Sequence, residues 1–370
     1  MIAEKNLYLC EKICAGKKAN TAGGTFIKFY SINTRYTHID PMKHILNTLI
    51  EYQSLNKQDA KNILARLAQG EFNQSQMAAF LTVYLMRSIT VDELEGFREA
   101  MLELCVPLHI AEYDAIDLCG TGGDGKDTFN ISTTASFVVA GAGQKVAKHG
   151  NNGVSSVCGS SNLLAYFGYE FTNDASALKK SLDEAGICFL HAPLFHPAMK
   201  NVAPVRRELG VKTFFNMLGP MVNPSFPKKQ LVGVFSLELA RLYAYLFQQT
   251  DQQFVILHSL DGYDEISLTG PFKMITNRGE QVLQPEDLGL STHRPEDLSG
   301  GKTIEDSAQI FLNILHGRGT PAQQEAVAAN AGMALYCSGT ADTPQAGVEQ
   351  ALASLATGRA LETFEKLTGN

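Results

Sequence analysis

Four stretches of this chain concentrate residue types suited to binding an anion together with a hard cation. The first is Asp117-Leu-Cys-Gly-Thr-Gly-Gly-Asp-Gly125, in which four glycines occupy six positions after a short apolar run. Backbone without Cβ atoms can turn several N–H groups toward one anion, which is the chemistry of a phosphate cradle. Gly120, Gly122 and Gly125 also match the dinucleotide fingerprint, but the acidic residue expected about 20 positions later is missing. Lys145, Lys148 and His149 stand there instead, and they suit phosphate better than a ribose diol. A nucleotide-binding P-loop fails for want of its Gly-Lys-Ser/Thr ending.

The second stretch, Asn130-Ile131-Ser132-Thr133, opens a helix of small residues. Hydroxyls and free N–H groups at a helix start favour phosphate, although an ordinary N-cap explains Ser132 or Thr133 alone nearly as well. The third is Lys148-His149-Gly150-Asn151-Asn152-Gly153, continued by Ser155 and Ser156, with Ser160 at the next helix start. It offers a lysine point charge and several amide and hydroxyl donors; His149 alone reads as a structural histidine. In the fourth, Asp264 and Glu265 follow Asp261-Gly262-Tyr263. Neighbouring side chains on a strand point opposite ways, so joint action needs an irregular backbone, which Gly262 permits. Magnesium prefers one or two carboxylates with substrate phosphates and water; taken alone, a solvated acidic turn is the commoner meaning of such a pair. Finally, His196-Pro197-Ala198-Met199-Lys200 leads into a helix bearing Arg206 and Arg207. These two cannot share a helical face, so one can enter a pocket while the other is solvated. An arginine fork suits a carboxylate.

The elements that must hold these loops follow from periodicity. Ile45, Leu46, Leu49 and Ile50 form one helical stripe, Ile63, Leu64 and Leu67 a second, and Met77, Phe80, Leu81, Tyr84 and Leu85 a third. A fourth helix opens with the capping box Thr90-Val-Asp-Glu93. Strands are expected at 115–118, 145–148, 187–190, 231–235 and 254–257. Helices are expected at about 132–142, 175–186, 237–250, 302–316, 320–337 and 343–366. The fold class is therefore α/β: a small all-helical domain over 42–110, then a large domain over 111–370 with a central, mainly parallel sheet flanked by helices. Ligands of such sheets bind at the carboxyl ends of the strands, where the unusual loops fall.

The 370 residues are 45% hydrophobic and 19% charged, enough for a sizeable core without staples. A formal net charge of -7 argues against a nucleic-acid surface. Cys10, Cys14, Cys105, Cys119, Cys158, Cys188 and Cys337 show no paired short spacing, which suits a reducing compartment. No apolar run reaches membrane-span length, so the expected location is the cytoplasm. Residues 1–41 lack a helical stripe and are expected to be a poorly ordered extension, consistent with translation starting at Met42.

Taken in order, Gly-Thr-Gly-Gly-Asp, Asn-x-Ser-Thr, Lys-His-Gly-Asn, His-Pro-Ala-Met-Lys-Asn-Val, Asn-x-Leu-Gly-Pro and Asp-Glu resemble anthranilate phosphoribosyltransferases from Met42 to the C-terminus. Pyrimidine nucleoside phosphorylases of the same superfamily, or a non-catalytic relative serving as a binding module, are the competing readings. Asn216 to Pro220 together with Asp264 and Glu265 favour the anthranilate branch. The resemblance implies that segment 195–224 packs onto the helical domain, and that two copies pair through those domains. It implies phosphoribosyl pyrophosphate (PRPP) bound by Gly120, Gly123, Asp124, Thr128, Asn130, Ile131, Ser132, Thr133, Lys148, His149, Gly150, Asn151, Ser155, Ser156 and Ser160. Mg2+ would sit on Ser132, Asp264 and Glu265. Anthranilate would lie near Gly120, Asn151 and Arg206, with His149 and His196 lining its approach. Association with the glutamine amidotransferase of the preceding pathway step is a further implied partnership. No side-chain nucleophile is evident, and a general base is optional because the amine loses its proton late. Where the family carries an arginine and a lysine in the third loop, this chain has Asn152 and Val157, two positive charges fewer beside a polyanion.

Overall fold

A computed structural model describes residues 41–153 and 157–369. The extension expected over 1–41, except Pro41, and Ser155 and Ser156 of the third loop lie outside the described residues. From Pro41 the chain forms helices α1 (Pro41–Ile50), α2 (Lys57–Ala68), α3 (Gln74–Met86) and α4 (Val91–Glu103). Side chains of Asn56, Asn73 and Thr90 cap the last three by accepting N–H bonds three residues on. Glu93 completes the Thr90 capping box and is fully buried. Its oxygens accept from the Thr90 N–H at 2.9 Å and from the Leu55 N–H and Tyr84 hydroxyl at 3.0 Å, and it pairs with Arg87. Phe80, Tyr84 and Phe97 meet edge-to-face, and Phe214, from far downstream, stacks on Phe97 with centroids 4.5 Å apart. Val202, Val205, Phe214, Phe215 and Leu218 thereby share a core with α1–α4. Ile50 and Leu85, expected within the buried stripes, are 62% and 44% exposed, because these stripes are wider than the surfaces facing them in a single chain.

The chain then alternates strands with helices: β1 (Ile116–Gly120), α5 (Ile131–Gly141), β2 (Val146–Gly150), α6 (Ser160–Tyr166), α7 (Ala175–Ala185) and β3 (Ile187–His191). Next come short helices α8 (Ala192–Phe195), α9 (Ala203–Leu209) and α10 (Phe215–Leu218), then β4 (Lys229–Gly233), α11 (Leu237–Phe247) and β5 (Gln253–Ser259). A hairpin, β6 (Phe272–Thr276) with β7 (Gly279–Leu283), precedes α12 (Ile304–Leu315), α13 (Pro321–Ser338), α14 (Pro344–Ala356) and α15 (Arg359–Thr368). Strand order is β3-β2-β1-β4-β5-β6-β7, with β1 to β5 parallel and the hairpin antiparallel.

Alternation along the strands feeds two cores. Leu231, Val255 and Leu257 face the carboxy-terminal helices, while Val232, Val234, Phe254 and Ile256 face α11 and the helical module. The hairpin is not legible in the sequence, since β7 is almost wholly exposed and carries no apolar alternation. Segment 343–366 differs from the single helix expected there. The chain instead breaks at Gly358, whose φ of +75° is left-handed and ends the helical path.

Candidate active site

Strand β1 lies between β2 and β4, so the chain order reverses beside it and leaves a crevice at the carboxyl ends of the strands. The cleft there encloses about 320 Å3. Its walls are the glycine loop after β1, the start of α5, the end of β2, the α9–α10 segment and the turn after β5.

Asp264 and Glu265 both enter the cleft because the chain beyond β5 is irregular, with Gly262 at φ +100°. Asp264 Oδ2 accepts from the Gly122 N–H at 2.6 Å, and Glu265 Oε1 accepts from the Ser132 N–H at 2.9 Å. The acidic turn thus clasps the glycine loop and the first turn of α5. Two glycines make room for it. Gly120 and Gly233 are register partners at the ends of β1 and β4. A methyl on Gly233 would stand 2.6 Å from the Asp264 carbonyl carbon, and one on Gly120 3.0 Å from its carboxylate carbon. Burial, then the Asp124 charge, raises the Asp264 pKa; burial, then Asp264 itself, raises that of Glu265. Among the described residues no three His, Cys, Asp or Glu side chains are arranged to hold a metal. The buried Asp264 and half-buried Glu265 carboxylates, with Ser132 bordering the same cleft, nevertheless fit a hard dication that completes its shell with ligand oxygens and water.

Lys148 is 2% exposed, and its Nζ donates to the Leu118 carbonyl at 2.7 Å. Burial lowers its pKa, against the neighbouring Cys119, Asp117 and Glu265. Buried Asp117 braces this strand by accepting from the His149 N–H at 3.2 Å. Burial pushes the Asp117 carboxyl up to about 6, with Asn223 and Lys148 pulling the other way. The ammonium therefore waits on a neutral carbonyl, at a point where an added anion would be favoured.

Across the cleft, Arg206 lies over the Phe215 ring at 5.1 Å from its centroid, and its Nη2 donates to Asn216 Oδ1 at 3.4 Å. Arg207 is exposed, so the tertiary structure separates the two arginines that the sequence left open. His149 lies on the wall with His196 behind it, ring centroids 5.3 Å apart.

Of the residues expected to bind ligands, Gly120, Gly123, Asp124, Thr128, Asn130, Ser132, Thr133, Lys148, His149, Gly150, Asn151, Ser160, Arg206, Asp264 and Glu265 border the cleft. Ile131, the first residue of α5, is buried in the core, and His196 does not reach the cleft wall. Sequence reasoning missed Gly233, whose signal was a glycine inside an apolar strand. It also gave no role to Asn216, which orients Arg206, or to Lys212, whose Nζ donates to the Gly123 carbonyl.

Residues 112–361 match the family model described as the glycosyl transferase family a/b domain, and residues 43–105 match its helical bundle domain. An anthranilate phosphoribosyltransferase of Flavobacterium psychrophilum is 63% identical over 326 residues, 88% of this chain and 98% of that protein. The chain belongs to the anthranilate phosphoribosyltransferase family. The Bacteroides thetaiotaomicron member is 50% identical over 88% of this chain and 98% of its own length. Among solved structures, the Thermus thermophilus enzyme superposes with a TM-score of 0.82 at 34% identity, covering 88% of this chain and 98% of that one. The Saccharomyces cerevisiae enzyme, solved with PRPP and Mg, gives 0.82 at 25% identity over 89% and 97%. Among the described residues no helix is long and apolar enough to cross a membrane.

Proposed function

We propose that this cleft joins PRPP to the amine of anthranilate, releasing pyrophosphate and N-(5-phosphoribosyl)anthranilate for tryptophan synthesis. The observation that carries the site assignment is the clasp of Asp264 and Glu265 on the amides of Gly122 and Ser132, within reach of the buried Lys148 charge. The loop amides of Gly123 and Asp124, together with Asn130, Ser132, Thr133 and Ser160, cradle the phosphates; Gly120, Thr128, Gly150 and Asn151 border them. Ser132, Asp264 and Glu265 would hold Mg2+, which would supply charge neutralisation for the departing pyrophosphate.

The chain's own residues do the rest. Lys148 exchanges its Leu118 carbonyl contact for the anionic ligand, a charge-assisted bond in a site shielded from water. Arg206, held against Phe215 and by Asn216, offers its fork to the anthranilate carboxylate, with Gly120, Asn151 and His149 around the ring. The amine is thereby aimed at the ribose C1 opposite the leaving group, and most of the acceleration comes from position and electrostatics.

Residues 42–110 with 195–224 act as one domain beside the α/β domain. Two copies associate through it, an assignment supported by the exposed Ile50, Leu85 and Met86 on the mutually packed α1 and α3. The enzyme works in the cytoplasm. The test is anthranilate fluorescence with purified protein, PRPP, and Mg2+ present or chelated. Anthranilate disappears only when both PRPP and Mg2+ are present; consumption that ignores chelation removes the metal assignment, and no consumption at all removes the acceptor.

A further inference from the structure

Lys212 stands between the wall that carries the glycine loop and the wall that carries Arg206. Its backbone belongs to the α9–α10 segment, directly before three buried residues, Thr213, Phe214 and Phe215. Phe214 stacks on Phe97, so this stretch is fixed to the helical module. The side chain crosses to the glycine loop, where its Nζ donates to the Gly123 carbonyl. More than the tip is in contact. A Cβ on Gly123 would lie 3.3 Å from Lys212 Cε, 3.4 Å from Cδ and 3.6 Å from Nζ, so the stem runs along that residue.

Gly122, Gly123 and Gly125 all have left-handed φ, so the loop has little stiffness of its own and takes its shape from what holds it. Two neighbouring anchors do so, Asp264 on the Gly122 N–H and Lys212 on the Gly123 carbonyl. A peptide unit is planar and trans, so fixing the Gly123 carbonyl also fixes the direction of the Asp124 N–H. On the other side, the Thr213 N–H, next in the chain, donates to Asn216 Oδ1 at 3.1 Å, and the same oxygen accepts from Arg206 Nη2 at 3.4 Å. Three hydrogen bonds thus connect the Gly123 peptide to the Arg206 guanidinium.

We propose that Lys212 is a positioning residue that couples the two substrate sites: phosphates held at Gly123 and Asp124 tighten the hold of Arg206 on a carboxylate, and the carboxylate tightens the hold on the phosphates. The inference rests on the reading that places PRPP on the glycine loop and anthranilate at Arg206. Lys212 does not border the cleft, and the coupling requires no contact between it and either substrate. Ordering a glycine-rich loop costs conformational entropy. Because Lys212 carries the constraint from one wall to the other, the first ligand orders both, and the second meets a connection already ordered. One exposed side chain carries the link, so its expected size is about fivefold in affinity, the low end of couplings between sites.

Calorimetric titration of anthranilate, with and without saturating magnesium pyrophosphate, reads this coupling without turnover, because pyrophosphate has no ribosyl group to donate. Wild type should bind anthranilate about fivefold tighter when pyrophosphate is present. The converse titration, of magnesium pyrophosphate with and without anthranilate, must give the same ratio, since such coupling is reciprocal. Lys212→Met keeps the stem and removes the donor, and should bind anthranilate with one affinity in both conditions. Lys212→Arg keeps a donor at the end of a long stem and should restore most of the ratio. Lys212 is exposed, so these replacements leave the core intact. A wild-type ratio in Lys212→Met overturns the proposal, as does wild type that binds both ligands with no ratio between them. Equal weakening of anthranilate in both conditions, with the ratio kept, is what a merely structural role would give, and it overturns the proposal too. If wild type binds neither ligand, the site reading itself falls and the coupling falls with it.

Discussion

Replacing Gly233 with alanine should disable the acidic pair without touching either carboxylate. The added methyl would lie on the Asp264 carbonyl, 2.6 Å from its carbon and 3.3 Å from the Glu265 nitrogen, where ordinary contact begins at 3.4 Å. Strand β4 is held on both sides by β1 and β5, so the turn must move rather than the strand. It retreats by well over an ångström, since the Asp264 carbonyl oxygen lies nearer the methyl than the carbon does, and even the 2.6 Å at the carbon must become at least 3.4 Å. The bonds of Asp264 to Gly122 and of Glu265 to Ser132, at 2.6 and 2.9 Å, cannot both survive that shift. Each is a hydrogen bond to a charged group, about 1.5–3 kcal/mol, and misplacing reacting groups by about 1 Å costs on the order of 100-fold in rate. The assay is kcat/KM for PRPP from anthranilate fluorescence over a Mg2+ series, with circular dichroism to confirm the fold. The expected variant is folded, loses about two orders of magnitude and needs far more Mg2+. Retention of more than a third of wild-type kcat/KM at an unchanged Mg2+ optimum would refute the reasoning that Gly233 places the pair.

Lys148→Met replaces the buried ammonium by an apolar chain of similar length; KM for PRPP should rise by about 100-fold or more, and near-normal turnover would remove Lys148 from the site. Arg206→Lys keeps the charge but loses the fork, so KM for anthranilate should rise by about tenfold with KM for PRPP unchanged, in steady-state kinetics. Asp264 and Glu265 have raised pKa values in the folded chain, which therefore holds more protons than the unfolded one, so stability falls as pH rises above the ordinary carboxylate range. Mg2+ competes with those protons for the carboxylates, and the rise in Tm it gives by calorimetry should be larger at pH 8 than at pH 5.5 and absent in Glu265→Gln. His149 and His196 titrate oppositely: from about 6.5 when unfolded they fall to about 3 and about 4 when folded. The unfolded chain then binds the extra protons, so stability is lost as pH drops below about 6.5, and His196→Asn should flatten that acid limb in urea titrations.

The sequence by itself determined the kinds of element and the chemistry of the loops. Helical spacing, the Thr90 cap and the switch to strand-plus-glycine grammar are local signals, since caps and periodicity act within one or two turns. The glycine loop, Ser132, Lys148 and the Asp264–Glu265 pair were legible because few structures other than an anion-and-cation site concentrate those residue types. What only the tertiary structure decided depends on contacts between distant positions. Arg206 rather than Arg207 faces the cleft because Phe215 and Asn216 receive it. Gly233 matters because a turn more than thirty residues later folds back onto it. The hairpin after β5 was invisible because its outer strand buries almost nothing, and burial is what writes a strand into a sequence. The tautomers of His149 and His196 were beyond any motif, for they are fixed by two backbone carbonyls, and a carbonyl is the one group every residue has.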